Sequence, residues 1–275
     1  MFYGNINTAT KYVCDNSVFR TANKIEIEAD SACTSYNRNE YYILPKYDGK
    51  NNYSYYKCTE KGWTFTTEKL NQGSMIDERD EHKYKTIGIR TQMWMAENLN
   101  YSDSVNYPSM LGKNWCYENN LENCTEYGRL YTWGATIDSV YWGQIGKICG
   151  YREKPCDLPN DVRGICPKGW HIPSSDEWNT LYSTVGNHPQ AMMGKGFPEW
   201  TIATDEFGFS ALPAGAYGNY MEEDGFHGLG TSTLFWTTKD KGNEAEFLGF
   251  DRYGADFNSV EKFYGFSVRC IKDEE

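Results

Sequence analysis

Cys166-Pro-Lys-Gly-Trp-His-Ile-Pro-Ser-Ser-Asp-Glu-Trp178 reads as three consecutive pieces. Pro167-Lys-Gly169 is a turn, and Trp170-His-Ile172 is a short buried strand. Ser174 or Ser175 then caps a helix, with Glu177 completing a capping-box-like start. Beyond it, Trp178, Leu181, Tyr182 and Val185 recur at helical spacing, and Gly186-Asn187 ends the run. Gly265-Phe-Ser-Val-Arg-Cys270, close to the end of the chain, is a strand that brings a cysteine back. The two segments together describe an α+β domain whose C-terminal strand is tied to its middle.

Outward from this frame, Tyr84-Lys-Thr-Ile-Gly-Ile-Arg-Thr-Gln-Met-Trp-Met95 reads as a strand, a turn at Arg90-Thr-Gln-Met93 and a returning strand. A second helix is expected over 126–139, where Leu130, Trp133, Ala135 and Ile137 fall near one face. From Phe207 onward the pattern is short strands at 209–212, 233–238, 245–250 and 264–271, split by glycine-rich turns.

The first eighty or so residues hold a weak repeat. Tyr12-Val-Cys14-Asp-Asn-Ser-Val-Phe19 and Tyr56-Lys-Cys58-Thr-Glu-Lys-Gly-Trp63 share Tyr-x-Cys, four residues and an aromatic, and each reads as a small β-hairpin. Residues 71–81 are polar and aperiodic and read as a linker. The expected division is therefore 1–78, a β-hairpin repeat region continuing upstream, and 79–275, the main domain.

Composition narrows the class. The 275 residues carry a net charge of −11, which argues against nucleic acid or an anionic membrane as the main partner. No apolar stretch is long enough to span a bilayer. Aromatics reach 16%, an excess that fits either an aromatic core or a surface that stacks on sugars or proteins. None of the nine cysteines forms a CxxC motif, so a zinc ribbon or a thioredoxin-like centre is not indicated. Cys116 with Cys124 and Cys149 with Cys156 have the spacing of disulfide-clasped polar loops, and Cys33 is the natural partner of Cys58. The same arithmetic places a partner for Cys14 ahead of residue 1 and leaves Cys14 unpaired here. The cysteines imply an oxidising compartment, secreted, periplasmic or at the cell surface, the competing reading being scattered reduced thiols in a cytosolic protein; the expectation is extracellular or cell-surface. No export signal opens the chain, and the expectation is a piece of a longer exported polypeptide.

Six segments taken in order carry a family signature. They are Ile87-Gly-Ile-Arg-Thr-Gln-Met-Trp-Met-Ala-Glu-Asn-Leu-Asn-Tyr101, Tyr127-Gly-Arg-Leu-Tyr-Thr-Trp133, Cys166-Pro-Lys-Gly-Trp-His-Ile-Pro173, Phe207-Gly-Phe-Ser-Ala-Leu-Pro-Ala-Gly215, Phe235-Trp-Thr-Thr238 and Gly265-Phe-Ser-Val-Arg-Cys270. In this order they closely resemble the Fibrobacter succinogenes major paralogous domain. The abundance of that domain in a fibre-degrading bacterium implies work at the cell surface, associated with the outer membrane, such as adhesion. More distantly, Gly169-Trp-His-Ile-Pro-Ser-Ser-Asp-Glu-Trp178 resembles a segment of formylglycine-generating-enzyme-like proteins. That resemblance implies a C-type-lectin-like fold, with two helices on twisted antiparallel strands, long loops and a closing Cys166–Cys270 disulfide. Trp94, Trp133, Trp170, Trp178 and Trp236 belong to the family frame and are expected in the core. The chemistry does not carry over. The copper-type oxidase needs a second cysteine late in the domain, where only Cys270 stands, and His82, His171, His188 and His227 lack ligand spacing.

His171 reads as a core or capping histidine, with no hydrolase motif beside it. The 38 acidic residues offer many carboxylate pairs, and spacing selects none for glycoside hydrolysis. Glu222, Asp224, Asp251 and Asp256 are candidate calcium ligands in acidic turns, the competing reading being solvated loops. The sugar-binding triplets of C-type lectins, Glu-Pro-Asn or Gln-Pro-Asp, are absent.

The favoured binding surface is a set of loop aromatics: Tyr217, Tyr220, Phe226 and His227 in a glycine-rich stretch, Tyr253 and Phe257 before the closing strand, and Tyr141 with Trp142. The competing reading is that these rings pack under their own loops. The expected function is binding of a carbohydrate or a cell-surface component. A structural module of a cell-envelope protein complex is the alternative, and an enzyme of unknown reaction ranks third.

Overall fold

A computed structural model describes residues 2–4, 11–28, 32–38, 41–46, 52–65, 72–149, 155–220 and 223–274. The chain divides into two compact units, Met1–Leu70 with Ile89–Thr91, and Asn71–Gly88 with Gln92–Glu275.

The first unit consists of two three-stranded antiparallel sheets. One joins β1 (Phe2–Gly4), β2 (Lys11–Asp15) and β3 (Val18–Thr21). After the short helix α1 (Lys24–Glu28), the other joins β4 (Tyr41–Lys46), β5 (Asn52–Thr59) and β6 (Gly62–Phe65). The repeat seen in the sequence thus corresponds to the hairpins β2–β3 and β5–β6. Cys33 and Cys58 form a disulfide that is buried with Trp63, and Ile25 of α1 and Tyr56 pack onto it.

The second unit is a mixed α+β structure, mostly strands with a few short helices. One sheet follows the order β12 (Trp170–His171), β19 (Ile271–Lys272), β9 (Gln92–Met95), β8 (Lys83–Ile89), β7 (Gln72–Ile76). The two cysteine segments meet here: Trp170 pairs with Lys272, His171 with Ile271, and Ile271 with Trp94. Cys166 and Cys270, both fully buried, are bonded to each other beside this seam, in a core with Tyr84, Met95, Leu99 and Val268. Residues 71–81 are not a simple linker. Residues 72–76 form the edge strand β7 against β8, and most of them are exposed, which explains their polar character.

The larger sheet follows the order β10 (Asn114–Trp115), β11 (Leu130–Tyr131), β18 (Phe266–Ser267), β15 (Thr233–Lys241), β13 (Ala214–Tyr220), β14 (Glu223–Leu229). On β15 are added β16 (Glu244–Asp251) and then β17 (Gly254–Glu261). Trp133 and Trp236, both buried, donate their indole N–H groups to the Thr237 and Tyr131 carbonyls, so neither polar edge is left unsatisfied. Trp94, Trp170 and Trp178 are buried as well. Arg269 is 1% exposed; it donates to Asn98 Oδ1 (2.7 Å) and to the Phe209 and Ser210 carbonyls, and stacks 4.5 Å over the Phe209 ring.

The helix expected over 126–139 is divided. The helix α2 (Leu121–Tyr127) stops at Gly128, whose φ of 76° breaks the helical path. Leu130 and Tyr131 pair as a strand with Trp115 and Phe266. Thr132 then caps the short α3 (Trp133–Thr136), and Asp138, at φ 57°, separates it from α4 (Ser139–Gln144). The apolar spacing that mimicked one helix comes from a strand and a helix in succession.

The helix α5 (Ser175–Thr184) forms as read. Ser174 is its N-cap, and the reciprocal hydrogen bonds with Glu177 complete the capping box. Trp178, Leu181 and Val185 are buried, and Tyr182 is half-buried.

Candidate binding face

The glycine-rich segments read as loops, 216–220 and 225–228, lie in strands. Tyr217 and Tyr220 lie on β13, and Phe226 and His227 on β14, so this pair of strands is a hairpin rather than a loop. Its glycines serve close approach. Gly218 has φ 153°, and a Cβ there would run into the Tyr264 ring. Gly265 lies where a Cβ would crowd the Trp115 ring at 3.0 Å.

Tyr217 is the centre of a continuous aromatic group. Its backbone exchanges two hydrogen bonds with Gly265, at 2.9 and 2.7 Å. Its ring stacks on Trp115 of β10 with centroids 4.2 Å apart and planes 23° from parallel. Directly opposite on β14, the Phe226 ring meets it edge-on at 5.1 Å, and Tyr117 follows at 5.2 Å from Phe226. Trp115, Tyr217 and Phe226 are all half-buried, so each contributes surface to solvent while its neighbours fix its orientation. Such pairs are worth about 0.5–1.5 kcal/mol each beyond burial.

The Cys116–Cys124 clasp sets the first rings. Trp115 and Tyr117 flank Cys116, and the turn between the cysteines is held by Asn123, which donates to the Tyr117 carbonyl at 3.0 Å. Asn120 accepts from the Glu122 N–H to cap α2. On the neighbouring segment Phe263 and Tyr264 stack at 4.8 Å, and Tyr264 donates to the Asn219 carbonyl at 2.8 Å. Trp115, Tyr117, Phe263 and Tyr264 were not singled out from the sequence. The signal that points to them is position, either flanking a clasp cysteine or preceding the glycine of the closing strand.

The other candidates are dispersed. Trp142 is no surface residue: it is 9% exposed, donates to the Ile137 carbonyl at 2.9 Å and belongs to the core, whereas Tyr141 is 51% exposed on α4. Tyr253 occupies the β16–β17 turn at 80% exposure, and Phe257 is half-buried on β17. His227 is half-buried, and burial pushes its imidazole pKa down.

Asp251 is occupied by its own turn, accepting from the N–H groups of Tyr253 (2.7 Å) and Gly254 (3.2 Å). Asp256 lies opposite Gly249 on β17. Glu222 and the side chains of Tyr220 and Asp224 lie outside the described residues. Among the described residues no group of three or more His, Cys, Asp or Glu is gathered to hold a metal ion.

His171 has a capping role. Its Nδ1 and Nε2 lie 2.8 Å from Asp273 and Glu177 respectively, joining the closing strand to the start of α5. Burial lowers its pKa, but the hydrogen bonds and charges of Glu177 and Asp273 outweigh burial and hold it above the usual range.

A polar hollow of about 310 Å³ lies by the start of α5, lined in part by Asn160, Ser175, Lys239 and Asp240. The Asp240 carboxylate is already committed, to Lys262 at 2.6 Å and to the N–H groups of Cys156 and Gly242. A carboxylate held this way is poorly placed for acid–base chemistry.

A family model, the Fibrobacter succinogenes major domain, matches residues 87–272. The chain belongs to this family. The Fibrobacter major domain of this chain therefore spans nearly all of the second unit, including β9 to β19 and the Trp115–Tyr217 stack. No curated protein and no solved structure matches the chain. The match indicates no enzymatic family. The four disulfides of this Fibrobacter major domain chain indicate a secreted or extracellular protein. No helix among the described residues is long and apolar enough to cross a membrane.

Proposed function

We propose that the chain is a cell-surface binding module that holds a carbohydrate against the face made by Trp115, Tyr217 and Phe226. The observation that carries this reading is the Trp115–Tyr217 stack, half-exposed and held on two strands. Rigid aromatic rings offer large apolar contact area with little rotamer entropy to lose, which suits the weakly hydrated faces of sugar rings. The β-strand placement differs from the loop placement expected, and it strengthens the argument, because a sheet holds the rings in fixed positions.

The fold that goes with this proposal is C-type-lectin-like. Its supports are α5 with its capping box, the Cys166–Cys270 closure and the antiparallel seam of β12 with β19.

Retention on insoluble cellulose, hemicellulose and cell-envelope fractions, with and without chelator, tests the reading. Retention by polysaccharide that is lost on Tyr217→Ala supports it. Retention by no polysaccharide contradicts it. The chelator arm tests the calcium reading: loss of retention with chelator would bring in the acidic turns at Asp251 and Asp256, and unchanged retention would leave the aromatic face to act alone.

A second reading, a protein-assembly module, has its own observation. Val140, Tyr141, Ile145 and Ile148 are 37%, 51%, 54% and 56% exposed within one short stretch on and after α4. An apolar cluster of this kind favours a protein partner over a sugar. Ile145→Glu with Ile148→Glu would abolish retention by envelope protein and spare retention by polysaccharide.

A further inference from the structure

A hollow of about 230 Å³ opens within the second unit, and none of Trp115, Tyr217 and Phe226 lines it. Its wall is made by Lys85 of β8, by Glu97, Asn98 and Asn100 beyond β9, and by Thr125 and Glu126 of α2. It is smaller than the roughly 300–1,000 Å³ of sites for drug-sized ligands, which suits one small ring rather than a chain.

Much of the wall is fixed by contacts made elsewhere. Gly128, at φ 76°, ends α2 where a Cβ would lie 2.7 Å from the Asn98 Cβ, so glycine is what lets the helix end come this close. The Cys116–Cys124 disulfide fastens the same helix. Asn98 is 4% exposed; its oxygen accepts from Arg269 and its amide donates to the Tyr127 carbonyl at 2.9 Å. Ser210, also on the wall, has its N–H and hydroxyl held by Asp205 and its carbonyl by Arg269. These groups are committed to the fold.

Other wall groups have capacity to spare. The Asn100 N–H donates to the Tyr84 hydroxyl at 2.9 Å, but its side-chain Oδ1 is buried with no hydrogen-bond partner among the described residues. Buried acceptors are rarely left this way, and those that are call for an explanation. The Glu97 carboxylate takes the Lys85 ammonium at 2.9 Å and the Lys85 N–H at 2.7 Å, which leaves ammonium protons and carboxylate lone pairs for a ligand. That pair cancels its own charge, and the Glu126 carboxylate adds a negative one, so the hollow disfavours anions. Ala96 and Leu212 give the wall apolar patches. Donors and acceptors side by side with apolar patches match a ring whose hydroxyls both donate and accept and whose C–H faces are apolar.

We propose that this hollow is a site for one neutral sugar ring, either a free monosaccharide or the end residue of a glycan, with Asn100 accepting from a sugar hydroxyl and the Lys85–Glu97 pair engaging its neighbours. The site does not depend on polysaccharide being held by Trp115 and Tyr217.

Titration of the full ¹⁵N-labelled chain with glucose, xylose, galactose and mannose, followed by NMR, tests this, with glucuronate as the anionic control. At least one neutral sugar is expected to shift the Asn100 side-chain amide and the Lys85 and Thr125 amides saturably, and glucuronate is expected to leave them in place. Asn100→Ala should weaken that binding about tenfold, the loss of one hydrogen bond. Thr125→Tyr, at an exposed position of the wall, should block it by filling the hollow without touching the core. Trp115→Ala should leave it unchanged, so failure of the aromatic face and failure of this site are told apart. Absence of any saturable shift up to tens of millimolar sugar overturns the proposal, as does binding that survives both Asn100→Ala and Thr125→Tyr in folded protein.

Discussion

Lys262 and Asp240 form an ion pair 2.6 Å long with each side chain only 2% exposed. The ammonium also lies 4.4 Å over the Trp133 ring, and burial pushes its pKa down. A pair this deep contributes little net stability over an apolar substitute, but breaking one side leaves a buried charge. Lys262→Met is therefore expected to cost about 3–5 kcal/mol in denaturant unfolding. The double variant Lys262→Met with Asp240→Leu should recover part of that loss. Equal destabilisation by single and double variants would remove the pair as the cause.

The His171 clasp gives stability a pH signature. His171 has a raised pKa, so its contribution is complete below its ordinary 6.5 and is lost as pH rises through the folded value. Glu177 has a lowered pKa: burial pushes it up, but the hydrogen bond from His171 and those from Ser174 outweigh burial. Its contribution is complete above its ordinary 4.5 and is lost as pH falls through the folded value. The stability gap between the parent and His171→Phe should thus be wider near about pH 5.5 than near about pH 8.5. A gap that does not change between the two conditions would show that the imidazole acts by shape alone.

The Cys166–Cys270 bond closes a loop of sequence separation 104. In the chain-entropy account a loop of this length contributes about 4–5 kcal/mol by restricting the unfolded chain. Cys166→Ala with Cys270→Ala should lower stability by roughly this amount, whereas removing the short Cys116–Cys124 clasp should cost distinctly less. The order would be inverted if the short clasp did more to hold the fold than the long closure.

Gly218→Ala probes the support of the proposed binding face. The new methyl would collide with the Tyr264 ring at a backbone φ of 153°. The expected cost is about 1–3 kcal/mol, with reduced protection of the Tyr217 and Gly265 amides from hydrogen exchange. Unchanged protection would mean that the hairpin tolerates the shift.

Legibility in the sequence followed how local the determinants were. Residues 166–178 carry their own punctuation, a Pro-Lys-Gly turn and a Ser/Glu capping box, and both formed as read. The hairpin β13–β14 was read as loop because Gly215, Gly218, Gly225 and Gly228 interrupt any alternation. Two of the glycines that hid it, Gly215 and Gly218, make room for the rings of Tyr117 and Tyr264, a reason visible only once distant segments meet. Leu130, Trp133 and Ile137 matched a helical period although Leu130 is in a strand, because a strand followed by a capped turn can reproduce that spacing. Tyr217 and Phe226 were legible as candidates from residue type. Trp115 was not, because the partner that makes it one lies on another strand of the sheet.

The proposed binding face is tested most directly by measuring retention on a bound polysaccharide for Trp115→Ala and Tyr217→Ala, each checked for native circular dichroism and intact disulfides. The account predicts that each folded variant loses about tenfold or more in affinity, about 1.4 kcal/mol, while Tyr253→Ala, at the exposed β16–β17 turn, binds as the parent does. Unchanged retention by both folded variants would contradict the account.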